Sequence, residues 1–111
     1  MRILLVEDEP LIAIDLETIL GRLGHEVVGV AESHAEAIKL AGDTRPDAAF
    51  VDIKLRDGFT GVEIARRLND DFGLMCTFIT GNAEQIREGR FRVVDKPFTA
   101  HSIESALNFY G

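Results

Sequence analysis

Three carboxylates of this chain directly follow apolar runs. Glu7 and Asp8 come after the run 3–6, and Asp52 comes after the run 48–51. Consecutive apolar residues are typical of strands that are buried on both faces of a parallel sheet. The carboxyl ends of parallel strands meet at one edge, where open α/β sheets bind their ligands. The spacing therefore predicts that the three carboxylates converge.

A simpler interpretation of Asp52 is also available. Aspartate is common in turns and at helix starts, because its side chain bonds nearby backbone N–H groups. The segment around Asp52 is compatible with either interpretation when it is read alone. The residues at the other strand ends must decide between them.

Two further groups stand at predicted strand ends. Thr80 follows the largely apolar run 74–79, and Lys96 follows the predicted fifth strand. Clustered carboxylates repel one another by about 4 kcal/mol per pair at 4 Å and an effective dielectric near 20. Lys96 would offset this repulsion, and so would a hard divalent cation. Mg²⁺ characteristically takes one or two carboxylates, several waters and phosphate oxygens.

Together these groups predict phosphate chemistry. An aspartate such as Asp52 can act as a nucleophile and form an aspartyl phosphate. Mg²⁺ and Lys96 would neutralise charge on the transferred phosphoryl group. Thr80 would donate a hydroxyl hydrogen bond to it, and Gly81 would leave room for it.

The segments between the strands have helical patterns. Pro10 suits the first turn of a helix and Gly24 its end, while Ser33 with Glu36 forms a capping-box pattern. Thr99 caps the last predicted helix. We expect turns at 43–46 and 58–61, and strands at 2–6, 26–31, 48–52, 74–80 and 91–94. Strands that alternate with helices indicate a parallel sheet with right-handed crossovers.

The ordered set of Glu7-Asp8, Asp52, Thr80 and Lys96-Pro97 resembles the receiver domain of two-component response regulators. The resemblance extends over essentially the whole chain, so that 1–111 would be one receiver domain. It implies an α/β fold of the flavodoxin-like, doubly wound type. The five parallel strands would have the order 2-1-3-4-5.

The resemblance also implies a role for each residue of the site. Asp52 would accept a phosphoryl group from a histidine kinase or a phosphotransfer protein. Asp8, Asp52 and the backbone carbonyl of Lys54 would hold Mg²⁺, with Glu7 contacting it through water. Thr80 and Lys96 would sense the phosphoryl group, and the Lys96–Pro97 bond would be cis. The domain would catalyse only its own phosphorylation and dephosphorylation, and would switch contacts with a downstream protein.

The chain departs from the common receiver pattern in three places. Val93 occupies the usual position of an aromatic switch residue, and Arg56 the usual position of a proline. Lys96 follows Thr80 by only 16 positions. The sequence 78–81 is similar to the Phe-Ala-Thr-Gly signature of a receiver subgroup, which implies a short or irregular fourth helix.

Several residues near the site keep two interpretations. Lys54 would tune the lifetime of the phosphoryl group or be a solvated loop lysine. Asn82 would face the site or cap a helix, and we expect the segment 82–90 to become ordered around the phosphoryl group. Tyr110 would contact the core or form a partner or homodimer surface.

Composition narrows the remaining function classes. The net charge of −7 argues against direct binding to nucleic acid or to an anionic membrane. No apolar run reaches the roughly 20 residues of a membrane span, and no secretion signal is recognisable, so we expect a cytoplasmic protein. The single cysteine, Cys76, is expected to be a buried thiol.

Two other functions remain as alternatives. A Mg²⁺-dependent phosphohydrolase of the haloacid-dehalogenase type would place a second aspartate two residues after its nucleophile, where this chain has Lys54. A receiver-like adaptor that is never phosphorylated would use the same fold without the chemistry. The absence of phosphorylation on Asp52 would favour the adaptor, and turnover of a phosphate ester would favour the phosphohydrolase.

Overall fold

The computed structural model describes residues 1–55, 58, 60–81 and 89–108. In chain order these residues form β1 (Arg2–Val6), α1 (Pro10–Arg22), β2 (Glu26–Ala31), α2 (His34–Thr44), β3 (Ala48–Asp52), α3 (Gly61–Phe72), β4 (Met75–Thr80), β5 (Arg92–Asp95) and α4 (Ala100–Asn108).

The five strands form one sheet in the order β2-β1-β3-β4-β5, and every neighbouring pair is parallel. This confirms the predicted flavodoxin-like α/β fold. The register aligns the carboxyl ends of the central strands, since Val6 pairs with Val51 and Asp52 pairs with Ile79. At the next pair of strands, Thr80 is level with Asp95. The predicted site residues therefore start from the same edge.

Alternate strand residues enter opposite faces of the sheet, and both faces are buried. The face that packs on α2 and α3 includes Leu4, Val6, Ala49, Val51, Cys76 and Phe78. The face that packs on α1 and α4 includes Ile3, Leu5, Ala48, Phe50 and Ile79. Burial on both sides explains why these strands have nearly continuous apolar sequences.

The second helix is longer than the sequence predicted. The Ser33 hydroxyl accepts the Glu36 N–H at 3.4 Å, which confirms the predicted N-terminus of α2. The predicted turn at 43–46 was placed too early, because α2 continues to Thr44. An ion pair of 2.7 Å between Lys39 and Asp43 spans its last turn, and Arg45 ends it in the left-handed conformation (φ 48°).

The other boundaries differ only slightly from the predicted ones. The third helix begins at Gly61, the last residue of the predicted turn, and β5 extends to Asp95 because that residue pairs with Thr80. Thr99 caps α4 through its hydroxyl, which accepts the Ser102 N–H at 3.0 Å. The predictions for Arg56, Asn82, the reduced helix within 82–90 and Tyr110 fall largely or wholly outside the described residues.

Candidate functional site

Asp52 and Lys96 form the centre of the site. Asp52 is the buried last residue of β3, and Lys96 directly follows β5. The Lys96 ammonium donates a hydrogen bond of 3.0 Å to Asp52 Oδ2 and lies 3.9 Å from Glu7 Oε1. The convergence expected for Glu7, Asp52 and Lys96 is thus present in the structure.

The second oxygen of Asp52 has a backbone partner. The Lys54 N–H donates to Asp52 Oδ1 at 3.2 Å, a bond from the residue two positions on. Such a contact is the local turn geometry that aspartate favours. Both interpretations of Asp52 therefore hold, because the residue ends a buried strand and also organises the turn that follows it. Its two oxygens face different donors.

The acidic residues are close enough to share one cation. Glu7, Asp8 and Asp52 each have a carboxylate oxygen within 4.8 Å of the others. Glu7 Oε1 is buried and has no hydrogen-bond partner among the described residues. Hard oxygen donors at this spacing suit Mg²⁺, which binds through carboxylates and retained waters. The donor set therefore fits the predicted metal, while the ligand role of the Lys54 carbonyl stays a prediction.

Burial and neighbouring charges shift the pKa values of two groups in the site. Burial is the main cause that raises the pKa of Glu7 to about 8, and the neighbouring Asp52 carboxylate adds to it. For Lys96, burial lowers the pKa, but the hydrogen bond and charge of Asp52 with the charges of Glu7 and Glu9 raise it overall. Lys96 therefore carries a stable positive charge between two acidic groups.

Thr80 lies at the same edge of the sheet as Asp52 and Lys96. It is the buried last residue of β4, the strand between β3 and β5. Its carbonyl accepts the Lys96 N–H at 2.9 Å, which fixes the backbone from which the lysine side chain starts. Toward the described part of the chain the space beside the following Gly81 is open, since no described atom outside its chain neighbours lies within 4 Å of the position of a Cβ. The Lys96–Pro97 bond is cis, as predicted.

An apolar surface lies next to the site on α1. Leu11 is 81% exposed and Ile14 is 59% exposed, although both are large apolar residues. A cleft of about 350 Å³ is lined by Ile12, Asp15, Lys96, Pro97 and Phe98. Sequence patterns did not reveal this surface, because the sequence does not show which apolar residues of α1 remain exposed.

The sequence analysis also missed a residue that contacts the site from α3. Gly61 lies directly against the backbone of Asp52 and Ile53. The available signal was a glycine at the start of a predicted helix, nine positions after Asp52. Cys76, in contrast, matches its prediction, because burial raises the pKa of its thiol to about 12.

A family model described as the response regulator receiver domain matches residues 3–108 of this chain. The chain belongs to the response regulator receiver family. That membership confirms the resemblance drawn from the strand-end residues, and the receiver domain is a module of two-component signalling.

Three similar proteins extend this result. The phyllosphere-induced regulator PhyR of Methylorubrum extorquens is 37% identical over 111 residues, covering 96% of this chain and 42% of that protein. The receiver domain of Erythrobacter litoralis PhyR superposes with a TM-score of 0.90 at 28% identity, covering 97% and 87% of the two chains. The anti-anti-sigma factor PhyR of Bartonella quintana superposes with a TM-score of 0.80 at 34% identity, covering 98% of this chain and 48% of that one.

The receiver chain spans about half the length of the curated relatives it matches. Among the residues that the structure describes, no helix has the length and apolar character needed to cross a membrane.

Proposed function

We propose that this receiver domain is controlled by phosphorylation of Asp52 from a phosphohistidine donor, in a Mg²⁺-dependent reaction. The supporting observation is the position of the Asp52 carboxylate, which lies beside the Lys96 ammonium and within a cluster of three carboxylates. Nucleophile, counter-charge and cation ligands thus meet at the edge of the sheet where ligands bind.

In the proposed step a carboxylate oxygen of Asp52 attacks phosphorus. The P–O bond forms while the P–N bond of the phosphohistidine breaks, and the imidazole leaves with that electron pair and takes up a proton. Lys96 offsets negative charge as the phosphoryl group arrives. The Thr80 hydroxyl donates a hydrogen bond to the new aspartyl phosphate and so reads the modified state.

The cation would be held by Asp8, Asp52 and the Lys54 carbonyl, with Glu7 contacting it through water. Bound Mg²⁺ supplies positive charge that neutralises phosphoryl oxygens. Glu7 contributes a buried oxygen to this group, and burial, together with the neighbouring Asp52 carboxylate, raises the pKa of Glu7 to about 8. A cation at this position would favour the charged form of the carboxyl.

The phosphodonor is proposed to dock on α1. Leu11 and Ile14 form an exposed apolar surface on the helix that borders the Lys96 cleft. A histidine kinase or a phosphotransfer protein that covers this surface would bring its phosphohistidine to Asp52. Contact with apolar side chains supplies affinity without regard to charge.

The output is proposed to be a change in protein contacts. The Bartonella relative is described as an anti-anti-sigma factor, which suggests an anti-sigma factor as the candidate downstream protein. Because this chain covers only 48% of that relative, the receiver domain would regulate this contact rather than form the whole of it.

The proposal is tested by incubating the domain with phosphoramidate and Mg²⁺ and measuring intact mass. We expect the gain of one phosphoryl group, which EDTA prevents and Asp52→Asn abolishes. Asp43→Asn is the control, since Asp43 is an exposed carboxylate on α2 that pairs with Lys39. No mass gain in the unsubstituted domain would contradict the proposal and favour an adaptor, and turnover of a phosphate ester would favour a phosphohydrolase.

A further inference from the structure

The first residue of α3 touches the backbone that carries the reactive carboxylate. A Cβ on Gly61 would lie 2.2 Å from the Asp52 carbonyl oxygen, 2.5 Å from the Ile53 Cα and 2.9 Å from the Asp52 carbonyl carbon. All three atoms belong to the main chain, so no flexible side chain can move aside. Only glycine fits this approach.

The same glycine makes a directed hydrogen bond. Its N–H donates to the Ile53 carbonyl at 3.0 Å. That carbonyl belongs to the peptide unit whose N–H is on Lys54, and this N–H donates to Asp52 Oδ1 at 3.2 Å. A trans peptide is planar, with its C=O and N–H pointing in opposite directions. Holding the carbonyl therefore aims the N–H at the carboxylate.

We propose that Gly61 is a positioning residue for the Asp52 carboxylate. Its amide holds the Ile53–Lys54 peptide, and the absence of a Cβ allows the close approach. The Lys54 N–H then constrains one oxygen of Asp52 while Lys96 binds the other. The effect on phosphorylation rests on the function proposed above, whereas the hydrogen-bond arrangement does not.

Neither side of the contact can yield easily. Asp52 is held in the sheet by its pairing with Ile79 of β4. The third helix is held by Ile64 and Leu68, which are fully buried in the core. A larger residue at position 61 would therefore displace the Ile53–Lys54 segment, which follows β3 and is not paired in the sheet, and so turn the Lys54 N–H away from Asp52.

The experiment compares Gly61→Ala with two glycine controls. Among the described residues, the Cβ added by Gly21→Ala on α1 would meet no atom within 4 Å, and the Cβ added by Gly42→Ala would meet only the Phe72 ring at 3.8 Å. For each variant the chemical shift of the Lys54 amide proton is recorded by NMR twice, once with Asp52 intact and once with the additional substitution Asp52→Asn. The rate constant and the KM for phosphoramidate are measured at saturating Mg²⁺.

We expect Asp52→Asn to shift the Lys54 amide in the unsubstituted domain and in both controls, but not in Gly61→Ala. The maximal rate should fall at least about tenfold in Gly61→Ala, as misplacement of a reacting group costs rate. The KM should stay close to that of the unsubstituted domain. A folded Gly61→Ala that keeps both the normal rate and the normal Lys54 response would overturn the proposal.

Two further measurements keep the outcome decisive. Gly21→Ala removes a helix-interior glycine and should raise the melting temperature, so Gly61→Ala is also made in that background. If the double variant does not fold, amide hydrogen exchange in the unsubstituted domain tests the inference instead. Slow exchange at both Gly61 and Lys54 would support it, and fast exchange at either residue would refute it. An unsubstituted domain that takes up no phosphoryl group would refute the proposed function, while the NMR comparison would still test Gly61.

Discussion

Lys96 reaches across the end of a neighbouring strand to bind Asp52. The two residues follow β5 and end β3, and β4 lies between these strands. The 3.0 Å hydrogen bond between Lys96 Nζ and Asp52 Oδ2 therefore passes the end of β4, where Thr80 stands. The ends of three neighbouring strands thus meet at one contact between a carboxylate and an ammonium group.

Replacing Lys96 should weaken the fold and the reaction together. Lys96→Met keeps an unbranched apolar side chain but leaves Asp52 and Glu7 without their ammonium partner. Unfolding in urea should show a loss of about 2 kcal/mol, below the cost of breaking a fully buried pair because the Lys96 side chain is 22% exposed. Uptake of a phosphoryl group from phosphoramidate should slow in parallel.

Lys39→Met is the matched control for this change. Its pair with Asp43 is shorter, at 2.7 Å, but both side chains are mostly exposed. Exposed pairs on helices contribute little to stability, because solvent and salt screen them. Equal losses for the two variants would show that burial does not distinguish the Asp52 pair from a surface pair.

Glu7 should make the metal-free domain less stable as pH rises. Its carboxyl loses a proton near the ordinary pKa of 4.5 when unfolded but only near 8 when folded, chiefly because it is buried. Between these values the folded state holds more protons, so the free energy of unfolding falls with rising pH, by up to about 1.4 kcal/mol per unit. Below pH 4.5 the ionisation of Glu7 does not lower the free energy of unfolding, and above about pH 8 this loss of stability has reached its full size.

Urea titrations at pH 5.5, 7 and 8.5 in EDTA check this prediction. Glu7→Gln should flatten the dependence and be more stable than the unsubstituted domain at pH 8.5. If the free energy of unfolding changed equally with pH in the two proteins, Glu7 would ionise as freely in the folded state as in the unfolded chain.

Magnesium should stabilise the domain by relieving the same crowding. At a free concentration about 100 times its dissociation constant, a ligand that binds only the folded state adds about 2.7 kcal/mol. Asp8→Asn should reduce this gain, since Asp8 belongs to the carboxylate cluster. Asp43→Asn, which removes an exposed carboxylate on α2, should keep this gain. Thermal melts with Mg²⁺ or EDTA that coincide for the unsubstituted domain would contradict a shared cation site.

The surface on α1 should matter only for protein donors. Leu11→Ser with Ile14→Ser removes exposed apolar area, so transfer from a phosphorylated kinase or phosphotransfer protein should slow at least about tenfold. Uptake from phosphoramidate should be unchanged, because that donor needs no docking surface. Met75→Ser is the control, as Met75 is 39% exposed at the opposite end of its strand from Thr80. Equal slowing with both donors would indicate a general defect instead.

The sequence alone determined the fold class and which side chains start from one edge of the sheet. Predicted strands followed by Glu7, Asp52, Thr80 and Lys96 were sufficient, because a parallel sheet places the ends of its strands at one edge. Helix boundaries were less certain: the polar residues Asp43 and Thr44 suit a turn but also suit the last turn of α2, where Asp43 pairs with Lys39.

Only the tertiary structure decided which groups touch. The approach of Gly61 to Asp52 and the exposure of Leu11 depend on how α3 and α1 lie against the sheet. The raised pKa of Glu7 depends on burial and on the distance to Asp52. Residue type and spacing along the chain determine local conformation and strand order, whereas contacts at the scale of single ångströms arise from the packing of distant segments.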